Sequence, residues 1–174
     1  MRVVALALSL ALIAATPDEA VLDLTVHGAD GPPRTLRTMV GDGPAIVTLW
    51  ATYCAPCKME VPVLNRANDR WAERGVRILG VAVDTDDPAE VEAVSRSWGI
   101  EYPVVWAPAD ERPQLGTLLP RGVPTTFLIG RGQVHRHEGV LDDAEIDRLV
   151  RGLLGPKPAT AAPQATLTVA PAPW

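Results

Sequence analysis

Ala45-Ile46-Val47-Thr48-Leu49-Trp50-Ala51-Thr52-Tyr53-Cys54-Ala55-Pro56-Cys57 is the stretch on which the fold turns. Its first six residues form a nearly continuous apolar run, the pattern of a strand buried on both faces of a sheet. A helix is expected from about Pro56 to Glu73, because Leu64, Ala67 and Trp71 recur at i, i+3 and i+7 and Gly75 stands where a cap belongs. The two cysteines therefore lie where a buried strand hands over to a helix. Three positions apart, they can close a disulfide, or leave one sulfur at the exposed tip and the other one turn inside. A helix start offers unpaired N–H groups and a partial positive charge, and both favour a thiolate. A thiolate is the species that attacks a disulfide. Cys54 is then the nucleophile and Cys57 the residue that resolves the mixed disulfide. Two other readings stay open at this point. The pair could be half of a metal site that needs two more ligands, or a structural disulfide, although so short a loop removes little chain entropy.

Working outward, Val21 to Val26 alternates and is expected as a strand, and Gly28 to Pro33 has turn chemistry. Val76 to Val83 reads as a second buried strand. Asp84 to Pro120 reads as an αβ unit set into a simpler scaffold: a helix opened by Asp86-Asp87-Pro88 and closed at Gly99, a strand from Tyr102 to Trp106, and a short helix from Leu115 to Leu119. Thr125 to Ile129 and Gln133 to Val140 flank Gly130-Arg131-Gly132 and read as a hairpin. Asp142-Asp143-Ala144-Glu145 opens a last helix that ends at Gly155 before Pro156. Strand, helix, strand, inserted αβ unit, hairpin and helix imply an α/β sandwich on a mixed sheet.

The 174 residues suffice for one domain with a proper core. A net charge of −5 without any run of like charge argues against a nucleic-acid partner. Two cysteines are too few for a disulfide scaffold or a four-cysteine zinc site. Arg2, then the apolar or small residues Val3 to Ala15 broken only by Ser9, then Thr16-Pro17-Asp18-Glu19, have the layout of a secretory signal peptide. An uncut N-terminal anchor is the alternative, although the run falls short of the roughly 20 apolar residues of a membrane span. The expected organisation is an export segment over 1–20, a folded domain over 21–155, and a Pro/Ala-rich tail over 156–174 too poor in apolar bulk to build a core. Export would place the cysteine pair where disulfides persist, in the periplasm or another extracytoplasmic space.

Residues 50 to 66, WATYCAPCKMEVPVLNR, resemble the active site of the TlpA/ResA-type thioredoxin-like proteins, which are exported thiol–disulfide oxidoreductases. Residues 122 to 129, GVPTTFLI, resemble the cis-proline segment of that family. The resemblance covers about residues 21 to 155, including the αβ insertion. It implies a thioredoxin fold, with a mixed central sheet flanked by helices, and a protein-disulfide reductase that needs no cofactor beyond a redox-active Cys54–Cys57 disulfide. It gives Pro124 the cis peptide bond, which is essentially a proline phenomenon and which would set the Val123 backbone beside the cysteines to pair with a client strand. Glu60 matches an acidic position of the family and would exchange a proton with Cys57, since a buried carboxyl titrates upward. Trp50, Tyr53 and Pro56 complete the expected client-binding surface, with Trp50 at its rim. Client proteins with disulfides or cysteine pairs, such as apo-cytochrome c or metal-centre assembly proteins, and a membrane-embedded thiol reductant as electron donor, are the implied partners.

The chain departs from the pattern in three places. Plain thioredoxin has a buried Asp six positions before its first cysteine, where this chain has Thr48. Tyr53 stands where the family usually has Trp. Ala55-Pro56 lacks the histidine found between the cysteines of strongly oxidising relatives, which favours the reducing half of a range from about −120 to about −270 mV. His135 and His137 share one face of a strand, so a copper-binding assembly factor using the cysteines and a histidine is the alternative function. The two-residue spacing of the cysteines counts against it, and no metal ligand set is assigned. His27, in a turn-rich segment, is expected to be exposed. Trp71, Trp98 and Trp106 are expected to pack.

Overall fold

The computed structural model describes residues 17–29 and 31–155. A 3-10 helix, Pro17–Asp23, buries Val21 and Leu22 and leads into the short antiparallel pair β1 (Thr25–Val26) and β2 (Arg34–Thr35). Helix α1 (Leu36–Val40) follows, capped by the Thr35 hydroxyl, which accepts the Thr38 N–H. Next come β3 (Ala45–Trp50), α2 (Ala55–Ala72), β4 (Arg77–Ala82), α3 (Pro88–Trp98), β5 (Val104–Trp106) and α4 (Arg112–Leu118). The chain closes with β6 (Thr125–Gly130), β7 (Gln133–Glu138) and α5 (Asp143–Leu154).

Five strands form one mixed sheet in the order β5-β4-β3-β6-β7. The β3–β4 and β4–β5 pairs are parallel, and β3–β6 and β6–β7 are antiparallel. The inserted αβ unit supplies one edge of the sheet through β5. β3 lies at the centre with all six residues buried, as its unbroken apolar run requires. Alternation along the strands splits the core in two. Ala45, Val47, Leu49, Val81, Phe127 and Ile129 pack on the 3-10 helix, α1 and α4. Ile46 and Ile78 point the other way, onto Leu64, Ala67 and Trp71 of α2 and Ile146 and Val150 of α5. The β6–β7 hairpin turns on Arg131 and Gly132, both at positive φ (55° and 72°), the two-residue turn that matches the strand twist.

The expected strand over Val21–Val26 is a correction: only Thr25–Val26 pairs, and the preceding residues coil into the 3-10 helix, whose Val21 and Leu22 enter the core side by side. Alternation over a few residues did not register that both faces of this segment meet apolar neighbours. His27 is a second correction. It is half-buried, bridges to Trp106 of β5 through reciprocal backbone bonds, and stacks on that indole with ring centroids 5.8 Å apart. Residues 17–20, placed in the export segment on sequence grounds, open the 3-10 helix, and Asp18 pairs with Arg136 of β7 at 3.3 Å. The apolar run before Thr16 and the tail after Gly155 lie outside the described residues.

Candidate active site

The chain leaves β3 at Trp50 and makes a tight turn, with the Cys54 N–H bonded to the Ala51 carbonyl at 3.0 Å. Cys54 is the N-cap of α2, and its Sγ accepts the Cys57 N–H at 3.1 Å. A sulfur therefore stands where Ser, Thr or Asp ordinarily caps a helix, facing the free N–H groups of the first turn. Pro56 lies in that turn, where a missing N–H does no harm. Cys54 and Cys57 are joined as a disulfide, and both are largely covered, at 5% and 4% exposed. Tyr53 immediately before them is 79% exposed, and Pro56 is exposed as well.

Glu60, one turn beyond Cys57, is 1% exposed. Its Oε1 accepts the Leu141 N–H at 2.8 Å, a bond between α2 and the loop that leads into α5. Burial pushes the Glu60 carboxyl up to about 7. The Leu141 bond, and the Thr48 hydroxyl that stops short of hydrogen-bonding geometry, act more weakly in the opposite direction. Cys57, Glu60, Thr48, Trp50 and Tyr102 line one small cavity of about 10 Å³. Two buried polar atoms without a hydrogen-bond partner, Thr48 Oγ1 and Trp50 Nε1, belong to residues of that lining. The Tyr102 hydroxyl is held far above its usual range, first by burial and then by the charge of Glu60.

The Val123–Pro124 bond is cis. Val123 packs against the cluster that contains Cys54 and Cys57, and the Pro124 carbonyl accepts the Gly139 N–H at 2.9 Å. The end of β7 and the loop into α5 are thereby tied to the proline on one side and to Glu60 on the other. Trp50 is not at the rim as expected: it is 3% exposed and packs on Trp98, with ring centroids 5.3 Å apart, beneath the cysteines. It lies under the site because it is the last residue of a strand covered on both faces.

His135 is exposed on β7, while His137 is half-buried with its Nδ1 3.5 Å from Glu145 of α5. Among the described residues, no three His, Cys, Asp or Glu side chains are grouped so as to hold a metal ion, and the copper reading is not favoured. Sequence reasoning passed over three further residues on α2, in the loop into α5 and after β4. Met59 at 72% and Val140 at 42% exposed are large apolar side chains left in solvent, Met59 on the first turns of α2 and Val140 beside Leu141. Asp84, two residues beyond β4, accepts the N–H and hydroxyl of Thr52 in the active-site turn. No local pattern marks them, because each acquires its neighbours only when separate elements meet.

A five-stranded mixed sheet with helices on both faces, a C-x-x-C disulfide at the start of the helix after the central strand, and a cis-proline beside it define a thioredoxin-like fold. The profile of the AhpC/TSA family matches residues 17–137, and the chain belongs to that family. It is 34% identical over 141 residues to the thiol:disulfide interchange protein DsbE of Pseudomonas fluorescens biotype C, covering 72% of this chain and 74% of that one. It is 31% identical over 111 residues to the thiol-disulfide oxidoreductase ResA of Bacillus anthracis, covering 63% of this chain and 61% of ResA. The match thus spans about three fifths of ResA. Among solved structures, a thiol:disulfide interchange protein of Chlorobium tepidum TLS superposes with a TM-score of 0.63 at 28% identity, over 78% of this chain and 97% of that one.

Proposed function

We propose that this chain is a thiol–disulfide oxidoreductase working outside the cytoplasm, where it reduces disulfides in client proteins by dithiol–disulfide exchange. The observation that carries the proposal is the placement of the Cys54 sulfur as the cap of α2, accepting the Cys57 N–H and disulfide-bonded to Cys57. In the reduced protein, the Cys54 thiolate attacks one sulfur of a client disulfide, forming a mixed disulfide and expelling the other client sulfur as a thiolate. Cys57 then gives its proton to Glu60 and attacks the Cys54 sulfur. The Cys54–Cys57 disulfide forms and the second client sulfur leaves, so the client gains the two electrons that the protein loses. A carboxyl raised to about 7 suits this proton exchange near neutral pH. Tyr53 and Pro56, exposed, and Val123, packed against the cysteine cluster, would contact the client, with Pro124 fixing the course of the Val123 backbone.

Restoring the dithiol takes two electrons from another dithiol, and a membrane-embedded thiol reductant fits a protein exported by the apolar run Val3 to Ala15. No helix among the described residues is long and apolar enough to cross a membrane. Proteins with haem-binding or metal-binding cysteine pairs are the clients we favour, because such pairs must be reduced before they can take up a ligand. The test is turnover with insulin and capture of clients. Cys54→Ser should abolish insulin reduction, while Cys57→Ser should accumulate mixed disulfides with proteins of its own compartment. A Cys57→Ser protein that captures nothing there would overturn the mechanism.

A further inference from the structure

The turn that delivers Cys54 to α2 is closed by a single backbone bond. Thr52, inside that turn, directs its N–H to the carboxylate of Asp84, shared between Oδ1 at 3.1 Å and Oδ2 at 3.0 Å. The Thr52 hydroxyl donates to Oδ2 at 2.6 Å. Two residues before Thr52, β3 and β4 are still joined, with the Val83 N–H on the Trp50 carbonyl at 3.0 Å. Asp84 therefore extends the sheet's hold on the chain past the last ladder bond, to a residue two positions before Cys54. An ionised acceptor holding an N–H and an O–H at once anchors more firmly than a neutral contact.

From these contacts we infer that Asp84 is a positioning residue for the exchange reaction: it holds the Thr52–Tyr53 turn so that the Cys54 sulfur stays on the N–H groups of α2 after the disulfide opens. This rests on the oxidoreductase reading proposed above. In the oxidised chain the bond to Cys57 is enough to keep Cys54 at the helix start. Reduction removes that tether, and placement then depends on the turn bond and the Asp84 clamp. A sulfur that drifts from the helix N–H groups loses part of what favours its thiolate. The negative charge of Asp84 acts on a nearby thiolate in the opposite sense. Geometry and charge therefore predict shifts of opposite sign. Glu90 of α3 also approaches the Thr52 hydroxyl, at 3.4 Å, and is held from its other side by the Thr85 hydroxyl at 2.6 Å. A hydroxyl has one proton, which the shorter contact assigns to Asp84, so Glu90 adds charge here without a bond.

The test follows the alkylation rate of Cys54 against pH in protein carrying Cys57→Ser, so that one thiol is read, with Asp84→Ala, Asp84→Asn or Thr52→Val added. Asp84→Ala should raise the midpoint by about half a pH unit, roughly threefold less thiolate below it. Asp84→Asn keeps an acceptor for the Thr52 N–H, while its amide nitrogen donates to the hydroxyl oxygen where the carboxylate accepted from it, and it should leave the midpoint at or below that of the parent. Thr52→Val keeps the N–H bond and should shift in the same direction as Asp84→Ala, by less. A midpoint lowered in both Asp84 variants would mean that Asp84 acts through charge and would overturn the inference, as would no shift in any variant. If the Asp84→Ala protein does not fold when reduced, Thr52→Val decides: a raised midpoint supports the clamp and an unmoved one rejects it. The underlying reaction is judged separately. A parent chain that neither reduces insulin nor shows a Cys54 thiolate near neutral pH fails as an oxidoreductase. A parent that does both, with variants indistinguishable from it, removes only the role of Asp84.

Discussion

At Glu60 the folded chain binds a proton more tightly than the unfolded chain, because its carboxyl rises from 4.5 to about 7 on burial. Stability contributed by this group is therefore complete below pH 4.5 and declines as pH rises toward 7. The total loss is on the order of 3 kcal/mol. Glu60→Gln removes the titration while leaving an oxygen to accept the Leu141 N–H. Urea unfolding of the oxidised protein should show the parent losing stability between pH 5 and pH 8, and the variant losing less by about 2 kcal/mol. Equal losses in the two proteins would mean that Glu60 is not the buried acid described here. The position of Glu60, one turn after Cys57, could be read from spacing alone. Its burial could not, since the Leu141 amide that meets it comes from 81 residues further along the chain.

Among the elements, α2 carries the site and is also the one most tied to its surroundings. On its inward face, Leu64, Ala67 and Trp71 follow the helical period closely enough to be found from sequence, and Cys57, Glu60 and Val61 are buried with them. Its link to the inserted αβ unit was hidden. The Asn65 amide donates to the Gly99 carbonyl at 2.7 Å, and its oxygen accepts the Glu101 N–H at 3.1 Å. One side chain thus satisfies a carbonyl and an amide in the connection between α3 and β5. Asn65→Ala should destabilise the oxidised protein by about 1 kcal/mol in urea unfolding, for two lost bonds to the exposed backbone of Gly99 and Glu101. A loss below about 0.5 kcal/mol would show that water replaces the amide without penalty. A second tie joins α2 to α5, with Arg66 on Asp143 and with Arg70 and Trp71 Nε1 on Asp147. The arginine pairs are exposed and add little to stability.

For the whole molecule, α5 completes the core: Ile146, Val150 and Leu153 are buried, and Gly155 caps the helix. A chain ending at Gly155 should therefore reduce insulin at the rate of the full chain and melt within about 2 °C of it. A larger drop in melting temperature would show that residues 156–174 contribute to the folded domain. The same closure explains how a domain with two cysteines stands without a disulfide framework. Both faces of its central strands are covered, so the core rests on apolar packing.

Period and punctuation in the chain were enough to identify an α/β sandwich, its central strand, the helix that starts at the cysteines, the αβ insertion and the hairpin. Those features depend on neighbours within a few residues, where repeats of two and 3.6 positions show directly which face is buried. The early segment up to Val26, the stacking of His27, the burial of Trp50 and Glu60, and the clamp of Asp84 on Thr52 were decided only in three dimensions. In each of these the determining partner is far away in sequence, so its burial or hydrogen bond exists only after the layers have packed.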